Sequence, residues 1–205
     1  MPIADAEPTG ITTGPDGALW FAENIGNNID RLMPDALPVA PSNLSANSST
    51  NQAPILTWSS VPGATSYNVY RNGSKVGSST SASYTDNTAP EGNDTYYVTA
   101  VNSGGESGQS NSVNVLVDRT PPTITYTITP APNSSGWNNS PATVSFTCTD
   151  NAGGSGIASC SQPRIESADG TYALTGTAVD NAGNTNSVTA PVNIDQTAPT
   201  LGTFH

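Results

Sequence analysis

The chain has 205 residues, and its 5 lysines and arginines against 16 aspartates and glutamates give a formal net charge of −11. So few cations exclude neutralisation of a nucleic-acid backbone and docking on an anionic membrane surface, and no apolar stretch reaches the roughly 20 residues of a membrane span. The single histidine, His205, and the two cysteines exclude a histidine-dependent triad and a four-cysteine zinc site within the chain. We therefore expect no nucleic-acid binding, no membrane insertion and no enzymatic activity of this chain itself.

Short runs in which apolar and polar residues alternate recur along the chain, and Gly, Pro, Asn, Asp and Ser break them. In residues 123–129 threonine occupies every odd position and an apolar residue every even one, and 142–149 and 188–194 alternate in a similar way. No segment of helical length shows the 3.6-residue pattern. The alternation predicts an all-β fold, with two tandem immunoglobulin-like β-sandwiches.

Residues 1–37 are predicted to contain part of a β-propeller. Residues 7–34 resemble one repeat of the streptogramin lyase (virginiamycin B lyase) type, through Gly14-Pro15-Asp16-Gly17, Leu19-Trp20-Phe21-x-Glu23, Gly26-Asn27 and Ile29-x-Arg31. In that family a histidine and a divalent metal perform an elimination, but this segment has no histidine, so no catalytic residue carries over. About three repeats are needed for stability, so we expect 1–37 to be poorly ordered or laid against the next domain.

Residues 38–118 resemble a fibronectin type III domain. The spaced elements that carry the resemblance are Leu56-x-Trp58, Val61-Pro62-Gly63-Ala64, Tyr67-x-Val69-Tyr70-Arg71 and Tyr96-x-Val98-x-Ala100-Val101-Asn102. The resemblance implies a seven-strand sandwich with Trp58 in the core and Tyr96 as the tyrosine corner. Asn72-Gly73 is typical of a two-residue hairpin turn.

A recurring proline-containing motif predicts the domain boundary. Asp-Arg-Thr-Pro-Pro-Thr at 118–123 returns as Asp-Gln-Thr-Ala-Pro-Thr at 195–200, an offset of 77 residues. This offset is the length of one small sandwich, and the prolines predict a stiff link. Residues 119–195 are therefore a second sandwich, and 196–205 are expected to open a further repeat of a longer array.

The second sandwich resembles a bacterial immunoglobulin-like repeat. The resemblance rests on Gly136-Trp137-Asn138-Asn139, Val144-x-Phe146-x-Cys148-x-Asp150, Ser155-Gly156-Ile157-Ala158-Ser159-Cys160 and Ala178-Val179-Asp180-Asn181-Ala182-Gly183-Asn184. Cys148 and Cys160 have neither C-x-x-C spacing nor further metal ligands, so we predict a disulfide between them, worth about 3 kcal/mol. Cys148 also has the inward parity of its strand, as a core bridge requires. A disulfide indicates an extracellular or cell-surface location.

The acidic loops allow two interpretations. Asp150 and Asp180 each begin the tetrapeptide Asp-Asn-Ala-Gly, which is typical of a β-turn whose aspartate accepts backbone hydrogen bonds. These loops should also lie at one end of the sandwich, beside Asp118 of the link, while Glu91 and Asp94 lie in a loop of the preceding domain. The five carboxylates are a hypothetical Ca²⁺ site, because Ca²⁺ takes six to eight oxygen ligands.

The aromatic residues give one candidate ligand contact. Trp137 lies in the polar stretch 134–140 and is predicted either to be an exposed platform for a sugar ring or to pack over a sandwich edge. No pair of carboxylates is singled out for glycoside hydrolysis.

Together these patterns predict a monomeric, non-catalytic spacer or adhesion segment of a larger bacterial extracellular or cell-surface protein. Its partner would be an unknown surface glycan or protein, and Ca²⁺ is the one cofactor considered. Two alternatives stay open. The domains could be accessories of a secreted streptogramin lyase-like enzyme whose catalytic blades lie outside the chain, or they could form a carbohydrate- or protein-binding module.

Overall fold

The computed structural model describes residues 8–15, 17–23, 29–32 and 35–200. Within these ranges every regular element is a β-strand, and no helix of membrane-spanning length and hydropathy is found. The all-β prediction is therefore confirmed. Asp16, Gly26 and Asn27 of the propeller-like pattern lie outside the described residues, as do residues 201–205 of the expected further repeat.

The described residues form two compact units. The first contains the residues up to Ser45 together with Ile55–Asp86 and Thr95–Val113, and the second contains Ala46–Pro54, Asn87–Asp94 and the chain from Asn114 onward. Two segments that precede residue 118 thus belong to the second unit. The predicted domain boundaries at 37, 118 and 195 stay predictions.

A small antiparallel sheet opens the first unit, with the strand order β1-β2-β3. These strands are β1 (Pro8–Thr13), β2 (Leu19–Glu23) and β3 (Ile29–Leu32). The register places Ile11 and Leu32 on one face and Trp20 and Ile29 on the other, and Ile11 and Ile29 are 70% and 71% exposed. Both faces of this sheet therefore present apolar side chains to solvent. The propeller resemblance of this segment stays a prediction.

The next eight strands are short except for β9. They are β4 (Ser49–Thr50), β5 (Ile55–Thr57), β6 (Ser66–Arg71), β7 (Ser74–Ser79), β8 (Ser83–Thr85), β9 (Gly92–Asn102), β10 (Gly105–Glu106) and β11 (Val113–Val117). In the first unit β6 pairs antiparallel with both β7 and β9, β9 pairs with β10, and β5 pairs with β8. In the second unit β4 and β11 pair in parallel.

The first unit has the core that its sequence pattern predicts. Trp58 is buried and meets Tyr67 edge-on, with the ring centroids 5.3 Å apart. Tyr96 is fully buried, and its hydroxyl donates a 3.0 Å hydrogen bond to a carboxylate oxygen of Asp86. The guanidinium of Arg71 lies 2.6 Å from the same oxygen, so a cation compensates the buried charge.

The turn between β6 and β7 is the predicted two-residue hairpin. Asn72 and Gly73 both have positive φ, 50° and 81°, which a turn of this kind requires at both positions. Asn72 also accepts a hydrogen bond from the backbone N–H of Thr95 through its side-chain oxygen, at 2.9 Å. The turn is thereby attached to the neighbouring strand.

Two further sheets lie entirely within the second unit. Their strands are β12 (Thr123–Thr129), β13 (Trp137–Asn138), β14 (Ala142–Thr149), β15 (Ile157–Cys160), β16 (Arg164–Glu166), β17 (Gly170–Asp180) and β18 (Thr185–Ile194). One sheet has the order β12-β14-β16 and the other β13-β18-β17-β15. Antiparallel pairing dominates, and β13 alone joins its neighbour β18 in parallel among these strands.

Alternation decides which side chains of these sheets are buried. The inward positions form one cluster, Ala142, Val144, Leu174, Ala190, Val192 and Ile194, with Tyr126, Ile128, Phe146 and Tyr172 packed against it. Facing outward, the threonines of β12 pair directly with Thr and Ser of β14. Threonine suits this position because its branched Cβ fits a pleated surface while its hydroxyl stays hydrated.

The predicted disulfide joins the two sheets of the second unit. Cys148 on β14 and Cys160 on β15 are bonded, with their Cα atoms 5.9 Å apart. Both cysteines are half-buried, so the expectation of a bridge within the core is corrected. The physical reason is topological, because β15 is the last strand of its sheet and the bond closes the side of the sandwich.

Candidate metal centre

Three aspartates meet at one end of the second unit. Asp118 follows β11, Asp150 follows β14, and Asp180 ends β17. Each offers a carboxylate oxygen, and these oxygens all lie within 4.8 Å of one another. The loops after β14 and β17 and the link therefore converge as the sandwich topology predicts.

Asp118 is buried, with 3% of its surface exposed, and its carboxylate accepts hydrogen bonds from two backbone N–H groups. One carboxylate oxygen accepts the backbone N–H of Ser155 at 2.7 Å, and the other accepts that of Thr120 at 3.2 Å. Burial by itself would raise the pKa of this carboxyl. The hydrogen bonds from Ser155 and Thr120 outweigh burial and hold the pKa of Asp118 below its ordinary value.

The other two aspartates close their own loops. Asp150 accepts the backbone N–H groups of Asn151 and Gly156 at 3.0 and 2.6 Å. Asp180, 1% exposed, accepts the backbone and side-chain N–H groups of Asn184, both at 2.8 Å. The turn-capping interpretation therefore describes what both carboxylates do in this structure.

The same carboxylates keep capacity for a cation. An ionised carboxylate has about four lone-pair sites. Asp150 and Asp180 each use two for the hydrogen bonds above, and Asp118 accepts the N–H groups of Ser155 and Thr120 and the side chain of Ser155. Two oxygens on opposite sides of a Ca²⁺ ion lie at most about 4.8 Å apart, twice a typical Ca–O distance. The spacing of the three oxygens thus fits a shared Ca²⁺, for which they would supply three of six to eight ligands.

The two remaining residues of the hypothetical Ca²⁺ site lie elsewhere. Glu91 accepts the backbone N–H of Arg119 at 2.7 Å and the hydroxyl of Thr120 at 3.2 Å, so it holds the link. Asp94 is 3% exposed. Neither belongs to the group of carboxylates that could share an ion among the described residues. Calcium ligation by any of the five stays a prediction.

Asn184 is a central residue whose role the sequence patterns do not indicate. Its side-chain amide donates to the backbone carbonyl of Asp118 at 2.7 Å and to the Asp180 carboxylate at 2.8 Å. It therefore connects the link to the loop after β17. The one signal in the sequence is its place directly after the second Asp-Asn-Ala-Gly turn, where the first turn has Gly154 instead.

Two further segments touch this end of the second unit. The hydroxyl of Ser49 donates to the carbonyl of Asn181 at 3.0 Å, and the N–H of Asn51 donates to the carbonyl of Ala182 at 3.1 Å. On the other side of the link, the guanidinium of Arg119 donates to the carbonyl of Ala89 at 3.1 Å. The N–H of Asp118 also donates to the carbonyl of Thr50 at 3.0 Å, so the link is bonded to both segments.

Trp137 lies at a different place in the second unit. It is 40% exposed on the short strand β13, which fits both an aromatic platform and packing over a sandwich edge. A groove of about 370 Å³ in the same unit is lined by Tyr126, Ile128, Pro132, Gly136, Pro191 and Asn193, and Trp137 is not among its lining residues. Ligand binding by Trp137 stays a prediction.

Comparison with known proteins places parts of the chain beside known modules. The family model for the rhamnogalacturonan I lyases beta-sheet domain matches residues 48–116. Over 96 residues the chain is 43% identical to a poly(3-hydroxybutyrate) depolymerase of Ralstonia pickettii, covering 46% of this chain and 19% of that protein. Over 128 residues it is 34% identical to exoglucanase B of Cellulomonas fimi, covering 59% of this chain and 12% of that protein.

Solved structures that match the chain include two from Clostridium thermocellum. An Fn3-like protein is 30% identical with a TM-score of 0.36, covering 42% of this chain and 98% of that one. The fibronectin(III)-like modules of CbhA are 15% identical with a TM-score of 0.45, covering 80% of this chain and all of that one. The chain spans less than a fifth of the length of both curated relatives, so the similarity is to segments of longer enzymes.

Proposed function

We propose that the chain is a non-catalytic spacer segment of a longer extracellular protein. The observation that carries the proposal is the link at residues 118–122, which hydrogen bonds attach to Glu91 on one side and to Ser155 and Asn184 on the other. Within the second unit these bonds restrict the conformations that the link can adopt, as a spacer requires. The similarity to segments of longer enzymes supports an accessory place in such a protein.

The disulfide supports the extracellular location. Disulfides persist in oxidising compartments and are rare where glutathione and thioredoxin keep thiols reduced. Here both cysteines of the chain are used in the one bond between Cys148 and Cys160. Because it joins the two sheets, the bond opposes their separation under load.

Amide hydrogen exchange of the link tests the spacer proposal. The N–H groups of Arg119 and Thr120 should exchange slowly, because both are donated to carboxylates. Glu91→Ala should accelerate exchange at Arg119, whereas Glu166→Gln on β16 removes an equal charge and should change nothing. Exchange of both link amides at the rate of an open chain in the unaltered protein would refute a fixed link.

We also propose that Ca²⁺ strengthens this link through Asp118, Asp150 and Asp180. Extracellular calcium modules bind with Kd values of about 10⁻⁴ to 10⁻³ M, so Ca²⁺ at ten times Kd would stabilise the second unit by about 1.4 kcal/mol. Asp150→Asn should abolish the effect, and Glu166→Gln should retain it. A denaturation midpoint of the second unit that 10 mM Ca²⁺ leaves unchanged would refute calcium binding.

A second candidate function is ligand binding at the edge of the second unit that carries Trp137. Tyr126 and Asn193 line a groove of about 370 Å³, and the exposed Trp137 pairs with Asn193 across the strands, so this edge has the aromatic and polar groups that ligand sites combine. Soluble oligosaccharides and insoluble cellulose are the probes. Saturable binding that Trp137→Ala abolishes and Trp58→Phe retains would favour this function, and no retention of the chain by either probe would dismiss it.

A further inference from the structure

The two copies of the proline-containing link are held by the same contacts. In the first, the backbone N–H of Arg119 and the hydroxyl of Thr120 both donate to the carboxylate of Glu91. In the second, the backbone N–H of Gln196 and the hydroxyl of Thr197 both donate to the carboxylate of Asp169, each at 2.8 Å. The repetition in sequence is therefore also a repetition of hydrogen bonds.

The equivalence extends to the neighbouring groups. The side chain of Arg119 donates to the carbonyl two residues before Glu91, and the side chain of Gln196 donates to the carbonyl of Ser167, two residues before Asp169, at 2.8 Å. Asp195 accepts the N–H of Thr197 at 3.1 Å, as Asp118 accepts that of Thr120 at 3.2 Å. Asp195 therefore has the local geometry of Asp118.

Asp118 has a further set of contacts that depends on the domain after it. Its carboxylate accepts the N–H of Ser155, 37 residues later, and its carbonyl accepts the amide of Asn184, 66 residues later. We propose that Asp195 and its link form a docking site for a further sandwich of the 119–195 type attached after it. Its counterparts of Ser155 and Asn184 would donate to the carboxylate and the carbonyl of Asp195.

The partner that binds this site must be covalently attached to the chain. A net contribution of about 0.5–1.5 kcal/mol for each hydrogen bond is too little to recruit a free protein, but a linked sandwich acts at a high effective concentration. The occupant is therefore a following domain that carries both loops. The inference rests on the proposed spacer function. It extends that function because each link would hold the sandwich after it through the same hydrogen bonds.

A fusion tests the inference, with a second copy of residues 124–195 appended directly after Thr200, so that the link at 195–200 is kept. The probe is the exchange rate of the Ser155 amide and of its counterpart in the appended copy. We expect equal protection of the two amides. Asp195→Ala should accelerate the appended amide at least tenfold and leave Ser155 unchanged, Asp118→Ala should do the reverse, and Glu166→Gln should affect neither.

The exchange rates of the β17–β18 amides in the appended copy report whether that copy is folded. Suppose that the appended copy is folded but the amide of its Ser155 counterpart exchanges as fast as an open loop, or at a rate that Asp195→Ala does not change. Either result would overturn the docking site without contradicting the fixed link at 118–122. An appended copy that does not fold would overturn it as well. Loss of protection at Ser155 itself in the unaltered chain would instead contradict the proposed spacer function.

Discussion

Asn184→Ala should destabilise the contact between the link and the loop after β17. Asn184 is 9% exposed, and its side-chain amide donates to the carbonyl of Asp118 and to the carboxylate of Asp180. Alanine removes both hydrogen bonds and leaves two buried acceptors without this donor. The backbone N–H of position 184 still donates to Asp180, so the loop itself keeps one contact.

The size of the effect follows from these two acceptors. A buried acceptor left unsatisfied costs about 1–3 kcal/mol, and more when it is charged. Asp180 is charged and 1% exposed, and Asp118 is 3% exposed, so little water can replace the lost amide. We expect Asn184→Ala to lower the free energy of unfolding of the second unit by about 2–4 kcal/mol.

Denaturation followed by NMR at amides of β17 and β18 measures this free energy for the second unit alone. Asn186→Ala is the matched control, since it lies two residues away at an exposed position and also loses two side-chain hydrogen bonds, the 2.9 Å bond to the carbonyl of Pro122 and the 2.8 Å bond accepted from the N–H of Ser187. The control should cost about 0.5–1.5 kcal/mol. Equal costs for the two substitutions would refute the buried role assigned to Asn184.

Three further predictions concern the disulfide, a carboxylate and a glycine. Replacing Cys148 and Cys160 by alanine should destabilise the second unit by about 3 kcal/mol in denaturant, since the closed loop spans 12 residues, and an unchanged midpoint would contradict this. Hydrogen bonds from Thr99, Asn68 and Tyr70 lower the pKa of Glu106. The ionised carboxylate should therefore stabilise the first unit fully above its ordinary pKa of 4.5, and this stabilisation should be lost as the pH falls further. Measuring the free energy of unfolding against pH tests this, and a pH dependence that Glu106→Gln leaves unchanged would contradict it. Gly176→Ala should cost about 1–3 kcal/mol because the added methyl overlaps the ring of Phe146, whereas Gly108→Ala has open space and should be near neutral; thermal unfolding compares them, and equal melting temperatures would count against the packing described.

Alternation in the sequence predicts the strands that bury one face and expose the other. It identifies β12, β14 and β18 because their apolar residues are large enough to mark the buried face. Alternation does not reveal β17, although this strand has 11 residues. Its buried positions include Gly176 and Ala178, and the first must be small because Phe146 of the facing sheet occupies the space above it.

The sequence predicts those parts of the candidate site whose positions depend only on the topology of the sandwich. Two loops at one end of a sandwich must meet the entering chain, so Asp118, Asp150 and Asp180 converge as expected. The place of Glu91 depends on which backbone groups lie within reach of its carboxylate. The contacts of Glu91 and of Asn184 both depend on the path that the link takes in three dimensions. No spacing of residues in the sequence indicates that path.

Stretching single molecules tests most directly whether this chain is a force-bearing spacer. We predict that the second unit unfolds in one discrete event, because the disulfide joins its two sheets. Reducing the disulfide should lengthen that event by about 40 Å, the extended length of the 12-residue span that the bond closes. Gradual extension without a discrete event, or a discrete event whose length reduction leaves unchanged, would contradict a force-bearing role.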